Sequence, residues 1–122
     1  MLPITLLPGL ACDTELWRHQ VAALSSLRPL RPVRVSDVHT RFATLPQMAA
    51  ALLAEHSGEL LLCGTSMGGM LALEVMRQAP QRVKALALLA SSARPDTPEL
   101  IRLRSDAIEL FAQGRMREVL QA

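Results

Sequence analysis

Aromatic side chains are nearly absent: the 122 residues include no tyrosine, one tryptophan and two phenylalanines. Base-stacking platforms of the kind that single-stranded nucleic acid uses are therefore not available. Charge of one sign is also missing, since 13 Lys and Arg stand against 11 Asp and Glu for a net +2. The arginines fall in separate short groups, Arg28, Arg31 and Arg34, then Arg102 and Arg104, then Arg115 and Arg117, which read as solvated helix faces and strand ends and not as a nucleic-acid module. The two cysteines, Cys12 and Cys63, form neither a CxxC pair nor a disulfide framework. A reducing, cytoplasmic setting is the expectation, with both thiols in the core or near its rim. His19, His39 and His56 lie far apart and no zinc-like cluster appears, so no metal and no cofactor is expected. No apolar run reaches the roughly 18 residues of a membrane helix, so no membrane partner is expected. The apolar opening Met1 to Cys12 lacks a basic leader and is broken by Pro3, Pro8 and Gly9, which suits a strand entering a tight loop better than an export signal.

What is present is a globular composition, half apolar and about one fifth charged, in a length that fits one small domain. Ile4 to Leu7 is a short apolar run ended by Pro8-Gly9, a buried strand. Asp13 or Thr14 can cap a helix to about Leu27, with Trp17, Val21 and Leu24 on one face and Arg18, His19 and Gln20 turned away. Pro32 to Val38 reads as a second strand, Asp37 to Ala43 as a polar connection, and Thr44-x-x-Gln47 as a capping box for a helix through His56 that Gly58 closes. Leu60 to Cys63 is a third, uniformly apolar strand. The helix from about Ser66 carries Met67, Met70, Leu71, Val75 and Met76 toward the sheet, turns Glu74 and Arg77 to water and stops at Pro80. Val83 to Leu89 is a fourth strand, Thr97 with Pro98 and Glu99 starts a helix that Gly114 ends, and Arg115 to Leu120 is a short helical piece. Strands alternating with helices imply an α/β fold, a mostly parallel sheet covered by helices on both faces. Residues 1–93 form the sheet-bearing core, and Ser91 to Thr97 leads into residues 94–122 as the start of a lid or cap.

Between the third strand and its helix stands Cys63-Gly64-Thr65-Ser66-Met67-Gly68-Gly69. A hydroxyl nucleophile projected from so sharp a turn has crowded main chain on both sides, and glycines there remove side chains that would collide. Ser66 is thus the candidate nucleophile, expected at a strained positive φ, with the free N–H groups of the following helix turned toward the reacting centre. The loop Leu7-Pro8-Gly9-Leu10-Ala11 leaves the same edge of a parallel sheet, so the amides of Leu10 and Met67 are the candidate oxyanion donors, and Gly9 would allow the close approach. A serine also needs a base oriented by a carboxylate. His19 lies on the solvent side of the first helix and His56 at the far end of another, while His39 follows the second strand on the correct edge but precedes the nucleophile. Asp37 and Asp96 read as capping residues. The chain order serine, acid, histidine would put both partners beyond Ala122.

On Leu6-Leu7-Pro8-Gly9-Leu10-Ala11-Cys12-Asp13 with Leu16-Trp17, Gly64-Thr-Ser-Met-Gly-Gly69, Ala72-Leu73-Glu74, Ala79-Pro80-Gln81-Arg82-Val83 and Ala93-Arg94-Pro95-Asp96-Thr97-Pro98, the sequence resembles the α/β-hydrolase superfamily, close to small esterase-like members with a helical lid. The resemblance runs over essentially the whole chain and covers about the first half of such a member. It implies Ser66 as nucleophile and Leu10 and Met67 as oxyanion donors. Many members carry His-Gly where Pro8-Gly9 stands here, a change that leaves the amide after the glycine in place. The resemblance also implies an acyl-enzyme hydrolase acting on a small-molecule ester, thioester or lactone, with 1–122 by itself inactive or weakly active for want of a base. Lyases and carbon-carbon hydrolases share the scaffold. The alternative from another class is a noncatalytic binding or interaction protein built on a partial hydrolase fold.

The apolar run Val83 to Leu89 offers an edge for strand pairing, and self-association through that edge is expected. Sedimentation velocity over a hundredfold range of concentration should show a growing oligomer fraction. A monomer throughout would mean that another element covers the strand.

Overall fold

The computed structural model describes residues 2–27 and 31–121. Arg28, one of the arginines grouped above, and Ala122, the last position of the lid segment, lie outside the described residues.

Four parallel strands, β1 (Ile4–Leu7), β2 (Val33–Val35), β3 (Leu60–Thr65) and β4 (Val83–Leu89), form one sheet in the order β2-β1-β3-β4. The helices are α1 (Arg18–Ser25), α2 (Val38–Arg41), α3 (Leu45–Glu55), α4 (Met67–Gln78), α5 (Pro98–Ala112) and α6 (Met116–Leu120). From β1 the chain steps outward to β2, then crosses back over β1 to β3 and on to β4. Right-handed crossovers put the first connection, with α1, on one face of the sheet, and the later ones, with α3 and α4, on the other. The sheet direction therefore reverses between β1 and β3. Ligands of open α/β sheets bind at such a switch point, outside the carboxyl ends of the strands.

The α3/α4 face holds the core: Leu7, Val38, Met48, Ala49, Leu52, Leu60, Leu62, Leu71, Ala72 and Val75 pack as one buried cluster. Thr5 is fully buried on this face, and its hydroxyl accepts a hydrogen bond from Arg34 Nε at 2.8 Å. Across the sheet, Leu6 and Trp17 are buried beside α1, but Leu61 and Cys63 are half-exposed, and Ala85, Ala87 and Leu89 are exposed. Leu6, Trp17, Leu24, Cys63, Ala87 and Leu89 line an apolar groove of about 360 Å³ on this side. The indole Nε1 of Trp17 is buried there without a hydrogen-bond partner among the described residues.

Several local expectations are corrected. The first helix opens as a 3-10 turn, Thr14–Trp17, capped by the Asp13 carboxylate accepting from the Glu15 amide, and its α portion ends at Ser25. The second strand is only three residues long. The stretch expected to be a polar connection holds α2, which buries Val38 completely, because the Ser36 hydroxyl accepts from the Val38 amide and Arg41 pairs with Asp37 and Glu55. The third strand alternates buried and half-exposed residues because only one face is well covered. On α4 the buried stripe is Gly68, Gly69, Leu71, Ala72 and Val75, which leaves Met76 39% exposed, while Glu74 is largely covered by its own partners. Hydrogen bonds from Arg77 and Gln78 hold the Glu74 carboxyl at about 2.

Arg82, just before β4, closes the end of α3. Its guanidinium donates to the carbonyls of Leu53 (2.9 Å), Gly58 (2.6 Å) and His56, meeting acceptors that a helix C-terminus leaves open and placing positive charge at the negative end of the dipole. Charge-assisted bonds of this kind contribute about 1.5–3 kcal/mol. Arg82→Met should therefore lower stability by about 2 kcal/mol, read as a drop in urea midpoint at unchanged slope; an unchanged midpoint would show that water replaces the arginine without loss.

Candidate active site

Among the described residues, three that are not glycine adopt positive φ: Ala11 (58°), Ser66 (53°) and Ala90 (48°). All three follow strands, β1, β3 and β4, at the carboxyl edge of the sheet. Such conformations cost about 1–3 kcal/mol each and persist only where the surroundings over-determine them. Ser66, at φ 53° and ψ −118°, sits between β3 and α4. Its side chain is exposed, and its hydroxyl makes no hydrogen bond with any described residue.

Two glycines make the turn possible. A Cβ on Gly64 would lie 2.2 Å from the Gly68 carbonyl oxygen, and a Cβ on Gly68 would lie 2.0 Å from the Leu7 carbonyl oxygen and 2.7 Å from that of Pro8. Backbone thus meets backbone on both sides of the serine, and the loop after β1 is pressed against the start of α4. Gly9 differs from the expectation stated for it. A Cβ there would meet only ordinary contacts at 3.5 Å, from Ser66 Cβ and the Thr65 carbonyl oxygen. The close approach is made by Gly68.

Ser66, Met67 and Leu10 line one cavity of about 1040 Å³, walled by Met48 and Met70 and, on the side of the α5 segment, by Arg94, Leu100 and Arg104. The three candidate site residues are thereby brought together. Leu10 is 62% exposed and turns into this space, while Met67 is the first residue of α4, where the amide has no intrahelical acceptor. Asp96 does not cap α5; Thr97 does, accepting from the Leu100 amide, and Asp96 pairs with Arg104 at 2.8 Å. Asp37 likewise makes no side-chain cap and pairs with Arg41.

No described histidine lines the cavity. His39 is half-buried with Nε2 2.6 Å from the Cys12 carbonyl oxygen, and so ties α2 to the loop after β1. Burial pushes the Cys63 thiol up, which makes it a poor nucleophile. Burial also lowers His56, with Arg34 and Arg82 adding to the effect against Glu55, at the C-terminal end of α3 and outside the cavity lining. Met48, Met70, Leu100 and Arg104 were not foreseen as lining residues. For Met70 the signal existed, since it stands one helical turn from Met67; for the others only the packing of distant segments decides.

The family model described as the alpha/beta hydrolase fold matches residues 3–122. The chain belongs to this family. Relatives include the biotin biosynthesis bifunctional protein BioHC of Cellvibrio japonicus, 31% identical over 98 residues covering 75% of this chain and 19% of that protein. The pimeloyl-[acyl-carrier protein] methyl ester esterase of Nitrosomonas europaea is 27% identical over 129 residues, covering 97% of this chain and 49% of its own. The chain thus spans half or less of the length of these curated relatives. Among solved structures, a thermophilic esterase from Thermogutta terrifontis superposes with TM-score 0.71 at 30% identity, covering 89% of this chain and 44% of that one.

A side chain would meet main chain at Gly64 and Gly68 but only ordinary contacts at Gly9. Gly64→Ala and Gly68→Ala should each cost about 3 kcal/mol or more, because the clashing partner is main chain that cannot turn aside. Gly9→Ala should stay within about 1 kcal/mol. Thermal melting of the three variants checks this, and a Gly68→Ala protein as stable as the parent would disprove the close backbone approach.

Proposed function

We propose that Ser66 is the nucleophile of a hydrolase that cleaves a small-molecule ester, thioester or lactone through an acyl-enzyme. The observation that carries the reading is the strained Ser66 turn, which leaves an unbonded hydroxyl in the same cavity as the loop of Leu10 and the N-terminus of α4. An acyl carbonyl at this place would have the hydroxyl as attacking group. Its oxygen would meet the amides of Leu10 and Met67 as charge develops, and donors held in place for that charge are worth about 10²–10³ in rate each. Met48, Met67, Met70 and Leu100 give the cavity an apolar lining suited to an acyl chain. The esterase functions named for the Nitrosomonas and Thermogutta proteins agree with ester cleavage.

A noncatalytic binding role is the second reading, favoured by one observation: the described residues bring no histidine to Ser66. The two are separated by a steady-state assay with an activated short-chain ester on 1–122, on its Ser66→Ala variant and, where the gene product runs past Ala122, on that longer protein. Such a longer protein should turn over and lose its rate with Ser66→Ala, while 1–122 should be at least about a thousandfold slower, since loss of a triad partner removes several orders of magnitude. Absence of turnover in the longer protein would favour the binding role. Equal, Ser66-dependent rates in both would mean that the base lies within 1–122, and His39 would be the first residue to substitute.

A further inference from the structure

The end of β4 grips the Ser66 turn from beside it, where Ala90 and Ser91 also line the cavity. The Ser66 amide donates to the Leu89 carbonyl at 3.0 Å. After Leu89 the chain reverses at Ala90, at φ 48°, and returns Ser91 to the same spot. The Ser91 hydroxyl lies 2.8 Å from the Leu89 carbonyl oxygen and 3.1 Å from the Ser66 carbonyl oxygen, its single proton shared between them. The fit is tight: a Cβ on Gly69 would stand 1.9 Å from Ser91 Oγ and 2.5 Å from Ser91 Cβ. Gly69 thus leaves the space that Ser91 fills.

The carbonyl that Ser91 holds belongs to the peptide unit joining Ser66 to Met67. In a trans peptide the C=O and the N–H point in opposite directions from one rigid plane. Drawing the Ser66 oxygen toward β4 therefore turns the Met67 N–H the other way, toward the front of the turn where the Ser66 hydroxyl stands. A hydrogen bond to the oxygen also polarises the peptide and strengthens its N–H as a donor. The amides of Gly69 (2.9 Å) and Met70 (3.3 Å) bond the same oxygen from within α4, so Ser91 adds a tie from outside the helix.

We infer that Ser91 is a positioning residue for catalysis, fixing the Ser66–Met67 peptide plane so that the Met67 amide stays aimed at the oxyanion. This deepens the reading of Ser66 as nucleophile and rests on it. A donor set loosely loses part of what a whole donor supplies, so the loss should be smaller than the 10²–10³ of outright removal, about tenfold.

The test uses the full-length gene product with p-nitrophenyl butyrate as substrate and a trifluoromethyl ketone of the same acyl length as a mimic of the tetrahedral intermediate. Ser91→Ala should lower kcat about tenfold at unchanged KM and weaken the ketone by the same factor. Ser91→Thr, which keeps the hydroxyl, should restore both, and Ser91→Cys provides the readout if Ser91→Ala does not fold. Rates within twofold of the parent in the hydroxyl-less variants, equal losses in Ser91→Ala and Ser91→Thr, or a loss in KM alone would each overturn the role of Ser91. Ser66→Ala keeps the two levels apart: full activity in that variant sinks the nucleophile itself, whereas a dead Ser66→Ala beside an unaffected Ser91→Ala sinks only the clamp.

Discussion

Everything at the carboxyl edge of this sheet depends on one close contact, the backbone of Gly68 lying against the carbonyls of Leu7 and Pro8. It fixes the start of α4 on the exit of β1, at the place where the sheet changes direction. With any larger residue at Gly68 the helix would have to withdraw, and the loop of Leu10 would no longer share a cavity with Ser66. The second approach, of Gly64 to Gly68 and Gly69, closes the turn on its other side. A two-sided constraint of this kind is what allows a non-glycine residue to be held at positive φ.

The strain is distributed. Ala11, Ser66 and Ala90 each occupy an unfavourable region at the end of a different strand, and each is tied to its neighbours by the main chain around it. Cys12 donates to Gly9, Ser66 to Leu89, and His39 joins α2 to the Cys12 carbonyl. Three strained positions on one edge single that edge out from the rest of the fold more firmly than one outlier would. Stability comes from elsewhere, from the α3/α4 face, where Leu52, Leu60, Leu71 and Val75 are sealed from water and Arg82 closes the end of α3.

The two faces of the sheet are unequal. One carries the whole buried cluster; the other leaves Ala85, Ala87 and Leu89 open around a groove with the unpartnered indole N–H of Trp17 at its wall. This inequality explains why β3 alternates in burial although its sequence is uniformly apolar; β4, at the edge of the described sheet, is exposed on both faces, at Leu88 on the α3/α4 side as well as at Ala85, Ala87 and Leu89. The hydrophobicity of a strand records what the strand can bury, whereas its exposure records what the described residues supply to cover it.

The sequence by itself determined the elements and the turn. Pro8-Gly9, Thr44, Pro80, Thr97-Pro98 and Gly114 act over a few residues, through fixed φ, missing donors and side-chain caps, so strands and helices could be read from them to within a few positions. The Gly64-x-Ser66-x-Gly68 pattern was legible for the same reason, since its steric demands are local, and Leu10 followed from the edge that parallel strands share. Other features needed the tertiary structure. That Gly68, and not Gly9, makes the close approach depends on how the β1 exit meets α4, and no spacing along the chain encodes that distance. Met48 reaches the cavity on the crossover from β2 to β3 and Arg104 on the segment that follows β4, Val38 is buried by the packing of α2, and Met76 is exposed because the buried stripe of Gly68, Gly69, Leu71, Ala72 and Val75 stops short of it. Ser91 lies 25 residues from the carbonyl that it bonds. Contacts between segments so far apart are set by how the layers pack, and only the folded chain brings them within hydrogen-bonding reach.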